Sequence, residues 1–152
     1  MTVVTLREVD PTSAEATAAM GRFFAELDAR FPGGFDPGDP APPDSFTLAT
    51  SDGVTVACGG VQRIDEGVGE VKRMWVDPTR RGAGLGARLL RHLEEVAAAA
   101  GHDVVRLDTN GVLTEAIALY ERAGYVRIER YNDNPYAELF FEKRLSGRGP
   151  RA

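Results

Sequence analysis

The chain is poor in the residues that most often carry thiol or metal chemistry. It has one cysteine, Cys58, and two histidines, His92 and His102. A single cysteine excludes an internal disulfide. No histidine stands near Cys58 in the sequence, and the two histidines lack the spacing of metal ligands. We therefore interpret Cys58 as a small buried hydrophobe and both histidines as surface positions on helices, and we expect no metal site.

Long hydrophobic runs and a positive net charge are also absent. No stretch approaches the roughly 20 apolar residues of a membrane span, and MTVVTLREVD at the start lacks the layout of a signal peptide. These features predict a cytoplasmic protein without membrane contact. The net charge of −5 argues against general nucleic-acid affinity. An apolar share of 43% is ordinary for globular chains. Residues 1–145 are therefore predicted to form one domain, with 146–152 as a disordered tail.

The segment 70–100 joins a strand-like run, a glycine-rich loop and a helix. Apolar residues of the helix recur at steps typical of one helical face: Leu85, Leu89, Leu93, Val96 and Ala100. The loop carries three glycines, which allow close approach of a ligand to the backbone, beside two arginines: Gly82, Gly84, Gly86, Arg80 and Arg81. The first N–H groups of the helix lack intrahelical partners. The loop is therefore predicted to bind a phosphorylated anion.

Two well-known phosphate loops fit this segment less well. Read as GxGxxA, residues 82–87 imitate a dinucleotide fingerprint, but residues 78–81 separate the first glycine from the strand. Too few strand–helix units follow to complete a doubly wound sheet. A P-loop fits worse, because no lysine followed by Ser or Thr comes after Gly86. The dinucleotide-binding module stays open as the weaker alternative.

Residues 81–86, RGAGLG, resemble the R/Q-x-x-G-x-G/A signature of the GNAT superfamily, the acyl-CoA-dependent N-acyltransferases. Two further segments are similar to that family: DVVRLDTN at 103–110 looks like its next strand, and AIALYERAGY at 116–125 is similar to its A-x-x-LYEKxGF helix. The element order fits from Thr5 to Leu145. The resemblance implies an α/β (α+β) fold with a mixed, mostly antiparallel sheet of about six to seven strands. Helices flank this sheet, and its central strands splay apart.

The resemblance also implies an activity and a cosubstrate. The expected reaction moves an acetyl group from acetyl-CoA to a primary amine of a small molecule, peptide or protein. The alternative is a non-catalytic acyl-CoA-binding or sensor module, which would keep the loop without needing Glu70 and Tyr120. Retention of the tyrosine favours the enzyme. Homodimer formation stays open.

Site residues follow from the same resemblance. Tyr120 matches the family's tyrosine that hydrogen-bonds the CoA sulfur, and a glutamate at the place of Glu70 is the general base in some members. Each has a plainer interpretation: Tyr120 as a core residue, Glu70 as an exposed carboxylate at a strand end, and Asn110 as a turn residue before Gly111. The predicted cofactor-binding set is Met74, Trp75, Val76, Arg81, Gly82, Ala83, Gly84, Leu85, Gly86, Ala87, Asn110 and Tyr120.

The charge pattern gives two more predictions. Glu70 and Lys72 fall on one face of their strand and Arg73 on the other, so this strand should border a cleft or carry a bulge. Residues 31–70 carry seven acids against Arg63 alone. The family commonly uses the segment 31–44, rich in proline and glycine, to line its acceptor site, so we predict an acidic acceptor mouth that prefers basic amines.

Strands are predicted at 3–9, 46–50, 54–63, 68–76, 104–110, 126–131 and 138–145, and helices at 14–30, 85–100 and 114–123.

Overall fold

One seven-stranded sheet organises the computed structural model, which describes residues 3–145. Its strands are β1 (Thr5–Val9), β2 (Ser45–Ser51), β3 (Val54–Asp65), β4 (Val68–Val76), β5 (Val104–Thr109), β6 (Val126–Ile128) and β7 (Leu139–Arg144). Its helices are α1 (Ala14–Arg30), α2 (Leu85–Ala99) and α3 (Thr114–Arg122). A short 3-10 helix, Pro78–Arg80, follows β4 and was not predicted.

The strand order is β1-β2-β3-β4-β5-β7-β6. Every neighbouring pair is antiparallel except β4 and β5, which run parallel. The predicted mixed, mostly antiparallel sheet is therefore confirmed. A doubly wound dinucleotide fold needs a largely parallel sheet, so this topology removes that alternative for the described part of the chain.

The helices cover the two faces of the sheet. Successive residues of β4 point to opposite faces. Trp75 accordingly packs in the cluster that contains α1, together with Leu48 and the fully buried Cys58. Met74 and Val76 pack in the other cluster, with α2 and α3. The prediction that Cys58 is a buried hydrophobe is confirmed.

A β-bulge interrupts the pairing of β3 with β4. Cys58 pairs with Trp75 and Gly60 with Lys72, so Arg73 and Met74 together face Gly59. Arg73 takes a left-handed φ of 55°, which is uncommon outside glycine and re-aims a strand's side chains. The bulge that the charge pattern predicted is confirmed.

The parallel strands β4 and β5 separate after a short contact. They pair only over Val68–Glu70 and Val104–Arg106, although β4 continues to Val76. Beyond Glu70 the edge of β4 that faces β5 is open, which confirms the predicted splay. The side chain of Glu70 therefore starts at the apex of a wedge in the sheet.

Two local predictions were wrong. The strand predicted at 126–131 ends at Ile128, because the side chains of Asn132 and Asn134 accept hydrogen bonds from backbone N–H groups two residues on and form turns. His102 is not a surface helix position: it follows the end of α2 and is only 5% exposed, with its ring against Gly69. Within residues 3–145, no helix is long and apolar enough to cross a bilayer. The predicted tail, 146–152, lies outside the described residues.

Candidate functional site

The wedge between β4 and β5 leads into two cavities of about 410 and 270 Å³. We call them the larger and the smaller cavity. Residues that line both include Met74 on β4, Tyr120 on α3 and Phe23 on α1. The two cavities therefore adjoin, and Tyr120 and Met74 lie where they meet.

The glycine-rich loop and the start of α2 form one end of the smaller cavity. Gly82 and Gly84 have φ values of 85° and 83°, and a Cβ added to either would meet nothing within 4 Å. Gly84 is the N-cap residue of α2, and no side chain caps that helix. The unpaired N–H groups of the first helical turn are thus open to a ligand, which is the arrangement that holds a phosphate group.

Nine of the twelve predicted cofactor residues line the smaller cavity: Met74, Trp75, Val76, Arg81, Gly82, Gly84, Gly86, Ala87 and Tyr120. Ala83 is exposed and Leu85 is buried in the core, so neither side chain contributes to its lining. Asn110 lines the larger cavity instead. Its amide donates to Tyr136 O at 2.8 Å and accepts from Val112 N at 3.0 Å, so it is a turn residue with an engaged side chain.

Arg81 is held by a carboxylate that sequence analysis did not identify. Its Nη2 donates to both carboxylate oxygens of Glu26, at 2.8 and 2.7 Å. Glu26 also accepts from Trp75 Nε1 at 3.0 Å and from Arg30 Nη1 at 3.1 Å. Burial alone would raise the pKa of Glu26, but these hydrogen bonds together hold it below its usual value. The charges of Arg81 and Glu26, which both line the smaller cavity, therefore largely offset each other.

Tyr120 is a buried phenol with an uncommitted hydroxyl. It is 7% exposed, and its ring lies 6.1 Å from that of Tyr125 and 6.0 Å from that of Phe141. Within residues 3–145 its hydroxyl has no hydrogen-bond partner, although the residue borders both cavities. Burial raises the pKa of Tyr120 above its ordinary value. It is therefore a neutral donor at the junction of the cavities.

Glu70 is buried rather than exposed, so its plainer interpretation as an exposed strand-end carboxylate was wrong. It is 7% exposed and lines the larger cavity. Its Oε2 accepts hydrogen bonds from Tyr131 Oη at 2.6 Å and from Asn132 Nδ2 at 3.3 Å, and Lys72 Nζ lies 3.8 Å from Oε1. Burial raises the pKa of Glu70, the bond from Tyr131 opposes this rise, and the nearby charge of Asp108 adds to it. A cavity carboxylate with a raised pKa is a candidate general base.

Asp108 was missed in the sequence, although a signal was present. Along β5, residues Val105, Leu107 and Thr109 are buried on one face, and the alternating residues Arg106 and Asp108 fall on the other. That second face turns toward the larger cavity at Asp108, whose Oδ2 accepts from Asn132 Nδ2 at 2.6 Å. The alternation of apolar and charged residues along β5 is the sequence signal for a polar face at Asp108.

Aromatic rings form another part of the wall of the larger cavity. Phe24, Phe31, Phe35 and Tyr136 contact one another with centroid separations from 4.6 to 5.8 Å. Phe35, Pro37 and Pro40 belong to the segment 31–44, so this segment lines the larger cavity. It is anchored where Phe35 N donates to Asp28 Oδ1 at 2.8 Å.

The predicted acidic mouth is wrong for most of its acids. Of the seven acids in 31–70, Glu70 alone lines the larger cavity. Asp36, Asp44 and Asp65 accept backbone hydrogen bonds at 2.8, 2.7 and 2.8 Å, from Gly38, Arg63 and Glu66 respectively. Asp36 and Asp65 thus shape local turns, which is a common role of aspartate, and Asp44 links the start of β2 to β3.

Comparison with known proteins identifies the family. The sequence profile described as Acetyltransferase (GNAT) family matches residues 6–125. The chain belongs to the GNAT family. It is 41% identical over 111 residues to "IAA acetyltransferase" of Azospirillum brasilense, covering 69% of this chain and 71% of that protein. It is 32% identical over 155 residues to "N-alpha-acetyltransferase RimI" of Mycobacterium tuberculosis, covering 92% and 96%. The fold matches a GNAT family acetyltransferase of Staphylococcus aureus Mu50 with a TM-score of 0.80 at 19% identity, covering 95% and 100%.

Membership confirms the predicted family, fold, enzyme class and acyl donor. The protein is a GNAT acyltransferase, and the family takes its acetyl group from acetyl-CoA. Solved proteins of this fold have CoA or acetyl-CoA bound. The open glycine loop, the uncapped α2 and the free edge of β4 fit such a cosubstrate.

Proposed function

We propose that this protein transfers the acetyl group of acetyl-CoA to a primary amine, with acetyl-CoA in the smaller cavity and the amine in the larger. The observation that carries the proposal is the meeting of the two cavities at Tyr120, with the buried carboxylate of Glu70 in the larger one. The name N-alpha-acetyltransferase of the Mycobacterium tuberculosis relative supports an amine as acceptor.

The donor side uses backbone groups more than side chains. The N–H groups of residues 82–87 bind the pyrophosphate, where Gly82 and Gly84 leave room for close approach. The open edge of β4 near Met74 and Val76 offers N–H and C=O groups to the pantetheine arm, because β5 no longer pairs there. Both contacts place the thioester toward Tyr120.

Glu70 acts as the general base. An amine must lose a proton to attack the thioester, and most primary amines are protonated at neutral pH. Burial raises the pKa of Glu70, which brings its basicity closer to working pH. Glu70 takes the ammonium proton, directly or through one water, and releases it to solvent. The neutral amine then attacks the thioester carbonyl. As the C–N bond forms and the C–S bond breaks, Glu70 takes a second proton from the nitrogen and passes it to solvent, which leaves a neutral amide.

Tyr120 assists the leaving group. When the C–S bond breaks, the sulfur gains negative charge, and a hydrogen bond from a neutral phenol stabilises it. The raised pKa of Tyr120 makes complete proton transfer to the thiolate unfavourable. A hydrogen bond is therefore its role, and the CoA thiolate takes its final proton from water.

The test measures acetylation of a panel of amines in two ways. A thiol reagent detects the CoA that is released, and mass spectrometry identifies the acetylated product. We expect release above the rate of acetyl-CoA hydrolysis for at least one class of amine. Glu70→Gln should lower kcat/KM by about 10² to 10⁴. Glu66→Gln, an exposed acid of the neighbouring turn, is the control and should leave the rate unchanged. Equal activity of Glu70→Gln and wild type would contradict the proposed base.

A further inference from the structure

We propose that Arg73 binds a carboxylate of the acceptor, and that the acceptor is an amino acid with an apolar or aromatic side chain. This inference rests on the proposed function, since it concerns what the larger cavity holds. It names the acceptor class, whereas the proposed function requires only an amine.

The backbone at Arg73 is strained in a way that places its side chain in the larger cavity. Its φ of 55° lies in the left-handed region, and Arg73 lines the larger cavity together with Glu70 and Lys72. In an unbulged strand, alternation would send Arg73 to the opposite face from Glu70 and Lys72. A non-glycine residue in the left-handed region is disfavoured, because its Cβ comes close to the following carbonyl oxygen. Such strain at a cavity wall motivates a functional interpretation of the side chain.

Arg73 also has no counter-ion in the described part of the chain. Its Nη2 donates to Ala41 O at 2.9 Å, its Nη1 donates to Met20 Sδ at 3.5 Å, and its Cζ lies 5.9 Å from the ring centre of Phe24. All three partners are neutral. Desolvation lowers the pKa of Arg73, and no carboxylate opposes that effect. A half-buried guanidinium with spare N–H donors is suited to an incoming carboxylate.

Neighbouring cations differ from Arg73 in this respect. Lys72 Nζ lies 3.8 Å from Glu70 Oε1, and Arg106 Nε donates to Glu142 Oε1 at 2.8 Å. Arg81 is paired with Glu26. Among the described residues that line the larger cavity, Arg73 is thus the cation that no acid neutralises.

The rest of the larger cavity complements an amino acid. Glu70, Asp108 and Asp133 supply negative charge for the ammonium group before it is deprotonated. The wall of Phe24, Phe31, Phe35 and Tyr136 offers apolar surface for a side chain. A volume of about 410 Å³ falls at the lower end of the range for small-molecule sites.

The experiment compares phenylalanine with phenylalaninamide, which lacks the carboxylate, in wild type and in Arg73→Asn. Asparagine tolerates a left-handed φ, so this variant should fold with an unchanged or higher Tm. The matched control is Arg63→Asn, an exposed arginine outside the cavity lining. In Arg73→Asn, the ratio of kcat/KM for phenylalanine to kcat/KM for phenylalaninamide should fall by about tenfold or more. The change should come from a higher KM for phenylalanine. Because both enzymes see the same two amines, their different basicities cancel.

A binding measurement keeps this inference separate from the proposed function. N-acetylphenylalanine and its amide are titrated into wild type and Arg73→Asn by calorimetry, which needs no turnover. We expect Arg73→Asn to weaken binding of the acid about tenfold or more and that of the amide little. If Arg73→Asn distinguishes the acid from the amide as wild type does in both assays, the inference is overturned. Carboxylate-dependent binding without acetylation of any amine would retain the role of Arg73 and overturn the proposed function instead.

Discussion

The hydroxyl of Tyr131 donates a 2.6 Å hydrogen bond to Oε2 of Glu70, across 61 residues of sequence. Asn132 extends this contact, because its Nδ2 lies 3.3 Å from the same oxygen and 2.6 Å from Asp108 Oδ2. The loop after β6 therefore holds the carboxylate at the apex of the wedge. Both contacts stabilise the ionised form of Glu70 against the effect of burial, so this loop adjusts the proposed base as well as orienting it.

Tyr131→Phe should move the pH dependence of the reaction to higher pH. Removing the donor destabilises the Glu70 carboxylate relative to its protonated form, so the pKa of Glu70 rises further. Glu70 is then ionised only at higher pH, and the acidic limb of the plot of kcat/KM against pH shifts to higher pH. A hydrogen bond to a charged group contributes about 1.5–3 kcal/mol, so the expected shift is about one pH unit or more.

The control for this shift is Tyr125→Phe. Tyr125 also donates to a carboxylate, Glu94 Oε2 at 2.8 Å, but neither residue lines the two cavities. Its removal should alter stability without moving the acidic limb. If Tyr131→Phe left the acidic limb of kcat/KM at the same pH, the ionisation of Glu70 would not be the cause of that limb.

Gly84→Ala should weaken acetyl-CoA binding more than it weakens the fold. Alanine at a φ of 83° is strained by about 1–2 kcal/mol, but its Cβ meets no atom within 4 Å. The methyl group would occupy space that the pyrophosphate needs, so a loss of affinity of about tenfold or more is expected by calorimetric titration. Gly53→Ala is matched in φ, 76°, and in open space, and lies outside the cavity linings. Equal affinities of the two variants would place the phosphate elsewhere.

Tyr120→Phe should lower kcat by about 10² and leave acetyl-CoA affinity nearly unchanged. The hydroxyl stabilises negative charge that exists only as the C–S bond breaks, and the ring supplies the packing against Tyr125 and Phe141. Steady-state rates and titration of acetyl-CoA separate the two effects. A rate within a fewfold of wild type would assign Tyr120 to the core alone.

The sequence was informative where the signal is local. The helix predicted at 14–30 has the same bounds in the structure, where Ser13 Oγ caps it by accepting a hydrogen bond from Ala16 N. Charged side chains on both faces of β4, at Glu70, Lys72 and Arg73, indicated a cleft or a bulge, because a strand covered on both sides does not tolerate such charges. The glycines at 82, 84 and 86 indicated a loop for binding an anion. Room for a ligand close to the backbone, and the positive φ of Gly82 and Gly84, depend on single residues and can therefore be predicted from the sequence.

Contacts between distant segments were not predictable in this way. Glu26 reaches Arg81 and Tyr131 reaches Glu70 only after α1 and the loop beyond β6 dock on the wedge. Asn110 combines both kinds of contact, because its Oδ1 accepts from Val112 N in the local turn and its Nδ2 donates to the distant Tyr136 O. Its place with the cofactor, which the family resemblance implied, stays a prediction. Pairing of polar side chains depends on the tertiary arrangement, and one sequence does not contain that arrangement explicitly.

Glu26→Gln should tighten acetyl-CoA binding while lowering stability. Glu26 lines the smaller cavity and carries a negative charge toward a cosubstrate that is itself an anion. In the wild type, Nη2 of Arg81 donates to both carboxylate oxygens of Glu26. The substitution removes the negative charge and frees Arg81 to bind the cosubstrate. The network with Arg30 and Trp75 is part-buried, so we expect a loss of about 1–3 kcal/mol in the free energy of unfolding. Calorimetric titration at low and high salt should show the gain in affinity mainly at low salt, because screening weakens the repulsion in wild type as well. Weaker binding at both salt concentrations would mean that Glu26 positions Arg81 for the phosphate instead of competing with it.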